Sequence, residues 1–293
     1  MIDSPNLPEQ TPGASTRRAG EDFLVAGCGF VTCLLTALIL WWVERQFGLA
    51  LYTWTFWFII PAGAILAGFA GASGYYAGSW LFGHRPTRLL LLNVVIASVA
   101  IFFFIYYLSY ITLQIEGKQG SDYVPFWQYL DLAVRSTSME FRYHAAKLGS
   151  TGELGYFGYA VAVLQILGFA VGGFVVYAVL VSKPYCEKCS RYLSGKGKQI
   201  RYTHDADGLQ ANVAQIAQTL SSGAAGSAIE LQRGFGNPKY QKNDHLRSTF
   251  EVRYCKKCNK HWVKFAVEKQ SGNDWKEITG YTAAGFTEEV VSV

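Results

Sequence analysis

Charged residues are scarce in this sequence, and three long stretches contain none. Only 16% of the 293 residues are Asp, Glu, Lys or Arg, whereas soluble domains average about 25%. Residues 46–83, 89–115 and 154–182 lack all four residue types. Each stretch exceeds the roughly 20 apolar residues that cross a bilayer as a helix. The composition therefore excludes a wholly soluble enzyme and predicts a membrane protein with a soluble part.

The apolar stretches predict a four-helix transmembrane domain over residues 22–182. The helices are expected at about residues 23–43, in the run that ends at residue 82, and at about residues 89–113 and 156–181. The second run, which starts near residue 52, is too long for one perpendicular span at about 1.5 Å per residue. We expect either a kink at Pro61 or a helix that starts in the membrane interface. Residues 1–21, rich in proline and polar side chains, predict a disordered cytoplasmic tail.

Basic residues beside the helices predict the orientation. Arg17 and Arg18 precede the first helix, residues 84–88 join the second and third, and Lys183 follows the fourth. With four spans these positions share one side, which the positive-inside rule assigns to the cytoplasm. We therefore predict a multi-pass protein of a bacterial inner membrane with both termini cytoplasmic and residues 114–155 as an external loop.

The external loop contains a candidate amphipathic helix. Apolar residues recur at helical spacing after Pro125, and Ser121 and Asp122 are candidates to cap that helix. Such a helix lies either on the outer leaflet or across the mouth of the bundle, and the sequence leaves both arrangements open.

Small residues recur at four-residue spacing in the second and fourth helices. Gly63, Ala67 and Gly71 form one series, and Gly168 and Gly172 form another. This spacing lets helix backbones approach closely. It indicates packing within the bundle, and a homo-oligomer formed through the glycine-rich helices is the alternative.

One segment of the second helix matches a protease motif. Residues 71–74, Gly-Ala-Ser-Gly, fit the Gly-x-Ser-Gly of rhomboid intramembrane proteases. Their serine needs a histidine on a later membrane helix, and no later span of this sequence contains one. We interpret residues 71–74 as a packing motif, and we predict no catalytic residue and no enzyme activity.

The soluble part, residues 183–293, carries the basic excess of the chain. It holds 17 Lys and Arg against 11 Asp and Glu. Apolar alternation predicts strands at residues 250–254 and 263–267, and Trp275 to Ile278 suggest a third. Helical periodicity at residues 209–220 lies within an insertion, residues 204–245. We predict a small α+β domain.

Two cysteine pairs carry the most specific signal. Cys186, Cys189, Cys255 and Cys258 form two Cys-x-x-Cys turns, and such a set completes a tetrahedral zinc site. We predict one structural zinc ion per chain; iron and a redox-active pair are the alternatives. His261 could replace a ligand. Because a polar insertion separates the pairs, we expect the core near the cysteine turns to be small and to depend on the metal.

The cysteine turns and their flanking strands resemble those of zinc ribbons. Rubredoxin turns normally have glycine after the second cysteine, where this sequence has Ser190 and Asn259. The overall pattern is similar to uncharacterised bacterial four-helix integral membrane proteins carrying a cytoplasmic zinc-ribbon-like domain. The segments that carry this resemblance are Ala72-Ser73-Gly74-Tyr75-Tyr76, Arg85-Pro86-Thr87-Arg88, Gly152-Glu153-Leu154-Gly155 and Tyr185-Cys186-Glu187-Lys188-Cys189. The resemblance implies a fold but no activity.

The predicted protein is an α-helical transmembrane bundle of four spans plus a small α+β zinc-ribbon-like cytoplasmic domain. We expect a non-catalytic adaptor or complex subunit with a protein partner on the cytoplasmic side. A channel or transporter component and an accessory subunit of a membrane enzyme are the alternatives. The basic domain is expected to meet membrane lipids, with nucleic acid as a weaker candidate.

Overall fold

The computed structural model describes residues 15–56, 59–115, 118–143, 146–272 and 274–287. The chain forms two compact units, Met1–Ser182 and Lys183–Val293. The division falls where the basic excess of the sequence begins.

Long helices make up most of the first unit. They are α1 (Ser15–Phe47), α2 (Ala62–Phe82), α3 (Arg88–Thr112), the short α4 (Phe126–Arg135) and α5 (Phe157–Val181). Helix α1 begins well before the expected residue 23, so the prediction of a disordered tail is wrong for residues 15–21. Extending an existing helix gains about one backbone hydrogen bond per residue fixed, without a new nucleation cost. Residues 1–14 lie outside the described residues.

Three helices are long and apolar enough to cross a membrane: Phe23–Phe47 within α1, all of α3, and all of α5. Helix α2 is not among these three, although it has 21 residues and no charged side chain. Its five glycines and two tyrosines give it a lower hydropathy than these three segments. The described residues thus contain three candidate spans rather than the expected four.

Helix α2 starts anew at the proline. Leu51–Thr53 form a 3-10 turn, Phe56 and Ile60 pair across a bridge, and the helix begins at Ala62, directly after Pro61. Proline suits a helix start because its fixed φ is already helical and its missing N–H is not needed there. The long apolar run is therefore divided between a 3-10 turn and a separate helix that begins at Ala62, and it is not one long kinked helix.

Glycines bring α2 close to both α1 and α5. A Cβ at Gly68 would collide with the carbonyl oxygen of Phe169 in α5, and one at Gly74 would collide with the carbonyl oxygen of Cys28 in α1. The Thr32 hydroxyl donates a 2.6 Å hydrogen bond to the Gly71 carbonyl across the α1–α2 contact. These glycines therefore make close helix contacts within one chain.

The segment between α3 and α5 is folded. It contains the short hairpin β1 (Gln114–Ile115) with β2 (Lys118–Gln119), helix α4, and the hairpin β3 (Ser138–Tyr143) with β4 (Ala146–Glu153). The predicted cap is wrong: Pro125 precedes α4 and no side chain caps the helix, because Asp122 already lies in a 3-10 turn. Helix α4 packs on α3 through the rings of Tyr110 and Phe126, 5.6 Å apart. It still exposes Trp127, so it covers the bundle end and also presents an apolar side outward.

An antiparallel sheet organises the second unit. A small hairpin, β5 (Tyr185–Cys186) with β6 (Arg191–Tyr192), precedes β7 (Ser194–Thr203), α6 (Ala206–Ser221), α7 (Ala225–Arg233), β8 (Leu246–Tyr254), β9 (His261–Ser271) and β10 (Asp274–Thr287). The four long strands lie in the order β10-β9-β8-β7, and the two helices pack on one face of the sheet.

The helices supply half of the core of this unit. Twelve buried apolar residues form what we call the helix–sheet core, six from α6 and α7 and six from β8 and β9: Leu209, Val213, Ile216, Ala225, Ala228, Ile229, Leu246, Phe250, Val252, Val263, Phe265 and Val267. The insertion expected at residues 204–245 therefore contributes half of this core. Leu209, Val213 and Ile216 of α6 recur at helical spacing and are buried in this core.

Candidate metal centre

The two cysteine pairs meet at one end of the sheet. Cys186 and Cys189 lie on the turn of the β5–β6 hairpin, and Cys255 and Cys258 lie on the turn between β8 and β9. We call these two turns the knuckles. The second knuckle follows the end of β8, and the first is the turn of the β5–β6 hairpin, which directly precedes β7. Antiparallel pairing of β7 with β8 therefore brings together cysteines that are far apart in sequence.

The four sulfur atoms form a cage of the size of a metal–thiolate centre. All four lie within 4.8 Å of one another, and the Sγ atoms of Cys186 and Cys258 are 3.7 Å apart. A tetrahedral ion with metal–sulfur bonds of about 2.3 Å places its ligands about 3.8 Å apart. The four cysteines can therefore hold one tetrahedral ion after a small contraction.

Each knuckle contains one residue in the left-handed region. Ser190 has φ of 50° and Asn259 has φ of 54°, and they are the non-glycine residues with positive φ in the described parts of the chain. Both directly follow the second cysteine, where rubredoxin turns carry glycine. The Asn259 N–H donates to the Cys255 carbonyl at 2.8 Å, and the Cys255 N–H donates to the Lys260 carbonyl at 2.9 Å. The two knuckles thus adopt the tight turn without glycine, although serine pays a steric penalty that asparagine largely avoids.

The sulfur atoms differ in acidity. The backbone N–H of Lys260, aided by the thiol of Cys189, lowers the pKa of Cys258 to about 7. The hydrogen bond to Cys258 raises the pKa of Cys189 to about 12. A thiolate of Cys258 that accepts a hydrogen bond from the Cys189 thiol accounts for both shifts. The backbone amide of Lys260, rather than a lysine side chain, is the largest cause of the lowered pKa of Cys258.

His261 lies outside the sulfur cage. The groups that could hold one ion are the four cysteines. The His261 ring is buried, and its Nε2 atom lies 3.1 Å from Nζ of Lys196. Burial, followed by the positive charge of Lys196, lowers the pKa of His261. The neutral ring accepts a hydrogen bond from Lys196 through Nε2. This geometry therefore gives no support to His261 as a metal ligand.

A separate small cluster surrounds the knuckles. Cys186, Leu193 and Cys255 are buried together, with Trp262 packed partly against them. These residues do not belong to the helix–sheet core. The metal centre therefore has few apolar contacts of its own.

Ser73, the serine of the protease-like motif, bonds within its own helix. Its hydroxyl donates to the Ala70 carbonyl at 2.6 Å, on an exposed side of α2. Serine commonly makes this bond when it lies inside a helix.

A cavity beside the second knuckle was not apparent from the sequence. It is open on one side, has a volume of about 380 Å³ and is lined by Gly195, Lys196, Tyr254, Asn259 and His261. The register of β7 on β8 shifts between Gly195 and Gly197, which makes Lys196 the extra residue of a β-bulge. The signal that could have found this site is the pair of glycines flanking a lysine at the start of a strand.

No protein family model, curated protein or solved structure matches this chain.

Proposed function

We propose that this protein is an integral membrane protein that anchors a cytoplasmic interaction domain built around a structural zinc ion. The closed set of four cysteines carries this proposal, because four thiolates fill a tetrahedral site and leave no position for water or substrate. Such a site stabilises structure rather than catalysing a reaction. The protein then acts as an adaptor or complex subunit that holds a protein partner at the cytoplasmic side.

Zinc is the metal that we propose for the sulfur cage. Divalent zinc binds nitrogen and sulfur ligands more tightly than ferrous iron does. Zinc also needs no redox partner and has no geometric preference beyond the tetrahedral arrangement that the cage offers. Metal analysis of purified protein should give one zinc per chain. The strong visible absorption of a ferric tetrathiolate would contradict this assignment.

We propose that α2 is the fourth membrane span. Its 21 uncharged residues reach about 31 Å, close to the thickness of the hydrocarbon core. The close contacts of Gly68 and Gly74 with α5 and α1 support this, because a helix enclosed by neighbours tolerates lower hydropathy than one facing lipid. Four spans also keep residues 84–88 on the same side as the basic soluble unit, as the positive-inside rule favours.

Labelling of single cysteines in intact bacterial cells tests this topology. A cysteine at exposed Ser121 should react with an impermeant reagent from outside, whereas cysteines at Arg85 and Lys242 should react only after lysis. Reaction of the Lys242 position in intact cells would contradict four spans.

Purification at native expression levels tests the adaptor function. We expect a partner protein in stoichiometric amount, retained by Cys28→Ser and lost or reduced in Cys258→Ser. Cys28 is a free cysteine outside the sulfur cage and therefore provides a matched control. A self-assembled complex without a partner that conducts ions or solutes would instead support a channel.

A further inference from the structure

The positive charge of the soluble unit is concentrated at one end. We call residues 183–198 and 251–264, which contain both knuckles and the strand ends beside them, the knuckle end. The knuckle end holds ten Lys and Arg against two Asp and Glu, whereas the rest of residues 183–293 holds seven against nine. The whole basic excess of the unit therefore belongs to the knuckle end. Its exposed cations are Lys188, Arg191, Lys196, Lys198, Lys256 and Lys257.

This charge is electrostatically separate from the opposite end of the sheet. Lys256 and Lys257 follow the last residue of β8, and the loop with Lys239 and Lys242 precedes its first residue. The nine residues of β8 extend for about 27 Å at roughly 3.4 Å per residue. Screening in physiological salt acts over about 8 Å. Charges at the far end of β8 therefore do not cancel the field of the knuckle end. Glu277 does reach the knuckle end and pairs with Lys264 at 3.1 Å, but Lys264 is not one of the six exposed cations.

The knuckle end also contains a built cavity with a cation at its wall. The β-bulge removes Lys196 from the regular alternation of β7, and its ammonium group lies 3.1 Å from Nε2 of His261. His261 is 2% exposed, and Tyr254 stacks on it with ring centroids 6.2 Å apart. A volume of about 380 Å³ falls within the range of small-ligand pockets, about 300–1,000 Å³. The ammonium group of Lys196 keeps two further N–H donors beyond its contact with His261. Together with the open backbone at Gly195, it is a suitable partner for a phosphate oxygen.

Chain length favours lipid as the source of that phosphate. The last residue of α5 is Val181, and Cys186 follows five residues later. At no more than about 3.6 Å per residue, the first knuckle lies within about 18 Å of the end of a candidate span. A surface that is tethered so close to a bilayer meets headgroups at high local concentration.

We propose that the knuckle end binds the headgroups of anionic lipids, with the cavity at Lys196 accepting one headgroup phosphate and the other exposed cations facing the membrane surface. The proposal rests on the proposed function, in which the metal shapes the knuckles and α5 spans the membrane. Each basic side chain near an anionic surface is attracted by about 1 kcal/mol. Several such residues hold the soluble unit against the membrane without any apolar insertion.

Lysine labelling of the full chain in nanodiscs tests this proposal. The rate of acylation by an amine reagent is read at each lysine by mass spectrometry, in discs of phosphatidylcholine with and without phosphatidylglycerol. Phosphatidylglycerol should slow labelling of Lys188, Lys256 and Lys257 about fivefold, which corresponds to about 1 kcal/mol per residue. Lys239 and Lys242 should not change. The protection should disappear in salt near 1 M, where the Debye length falls to about 3 Å.

Charge-reversal variants identify the surface. The pair Lys256→Glu and Lys257→Glu should abolish protection of Lys188, whereas the matched pair Lys239→Glu and Lys242→Glu should leave it intact. Lys196→Gln removes the ammonium group of the cavity without touching the turns that carry the sulfurs. In this variant, phosphatidylglycerol should slow the labelling of Lys188 less than it does in the unmutated protein. Lys196→Gln therefore still tests the proposal if the Lys256→Glu and Lys257→Glu pair loses its metal.

Two results would overturn the inference. One is equal labelling of the knuckle end in both kinds of disc. The other is protection by an added oligonucleotide or acidic peptide in neutral discs without any protection by phosphatidylglycerol. Zinc is measured in each sample, so that a failure with one zinc per chain refutes lipid binding alone. Absence of zinc in the unmutated protein would instead count against the proposed function.

Discussion

Replacing a single sulfur ligand should loosen the knuckles and leave the rest of the soluble unit folded. In Cys258→Ser the cage loses the sulfur with the lowest pKa, about 7, and three ligands remain. Structural zinc contributes about 10–16 kcal/mol of apparent binding energy in small peptides. We expect the knuckles to depend on that energy, because their own cluster has few apolar members besides the cysteines, chiefly Leu193 and Trp262.

The helix–sheet core does not depend on the metal in this way. Ten of its twelve residues are larger than alanine, and full burial of such a side chain contributes about 1.5–3 kcal/mol. Burial in this core is therefore worth about 15–30 kcal/mol before the entropic cost of folding. None of the twelve residues belongs to the cluster around the cysteines. The two clusters should therefore respond separately to metal loss.

Hydrogen exchange of the full chain, followed by mass spectrometry, distinguishes the two responses. A loss of about 3 kcal/mol, a small part of the metal-binding energy, accelerates exchange about 150-fold. Peptides over residues 185–193 and 254–261 should show at least this acceleration in Cys258→Ser, and peptides over residues 209–216 and 246–252 should stay protected. Cys28→Ser should behave as the unmutated protein.

Two results would refute this reasoning. Uniform loss of protection across residues 185–267 would mean that knuckles and core unfold as one cooperative unit. Unchanged protection of the knuckles with full zinc content would mean that another group replaces the missing sulfur.

Further variants test the packing of both units. Phe250→Ala should destabilise the soluble unit by about 3–5 kcal/mol, because a wholly buried aromatic ring leaves a cavity, and the midpoint of denaturant unfolding would measure this. Gly68→Ala should destabilise the helical unit by about 1–3 kcal/mol through collision with the Phe169 carbonyl. Gly27→Ala, where a Cβ meets nothing within 4 Å, should leave thermal melting in detergent unchanged. Ser73→Ala should shift that melting by less than the equivalent of about 0.5 kcal/mol and leave any cellular phenotype intact, because its hydroxyl bonds within its own helix.

Periodicity in the sequence predicted which helices and strands form better than it predicted what those elements pack against. The apolar spacing of residues 209–220 was sufficient to predict a helix, and α6 extends over Ala206–Ser221. The same spacing gives no information on what the helix covers, so residues 204–245 looked like an appendage although they supply half of the core. Pairing of β7 with β8 around this insertion decides that question, and strand pairing over such a distance leaves no local trace in the sequence.

The metal centre shows a similar limit. Cysteine spacing identified Cys186, Cys189, Cys255 and Cys258, which lie together in one cage. It could not reveal the contact of Lys196 with His261, because that contact depends on a one-residue bulge in β7. A shift of one residue changes the face of a strand on which a side chain lies. Composition alone does not determine such a shift.

The left-handed turns at Ser190 and Asn259 bear on how such centres can be found in other sequences. A search pattern that demands glycine after the second cysteine would pass over both knuckles of this protein. The backbone requires a left-handed residue at that position, and glycine is one of several residues that can supply it. A pattern that fixes the cysteine spacing and accepts asparagine or serine after the second cysteine would retain centres of this kind. Glycine content is therefore a poor guide to whether a paired cysteine turn can hold a metal.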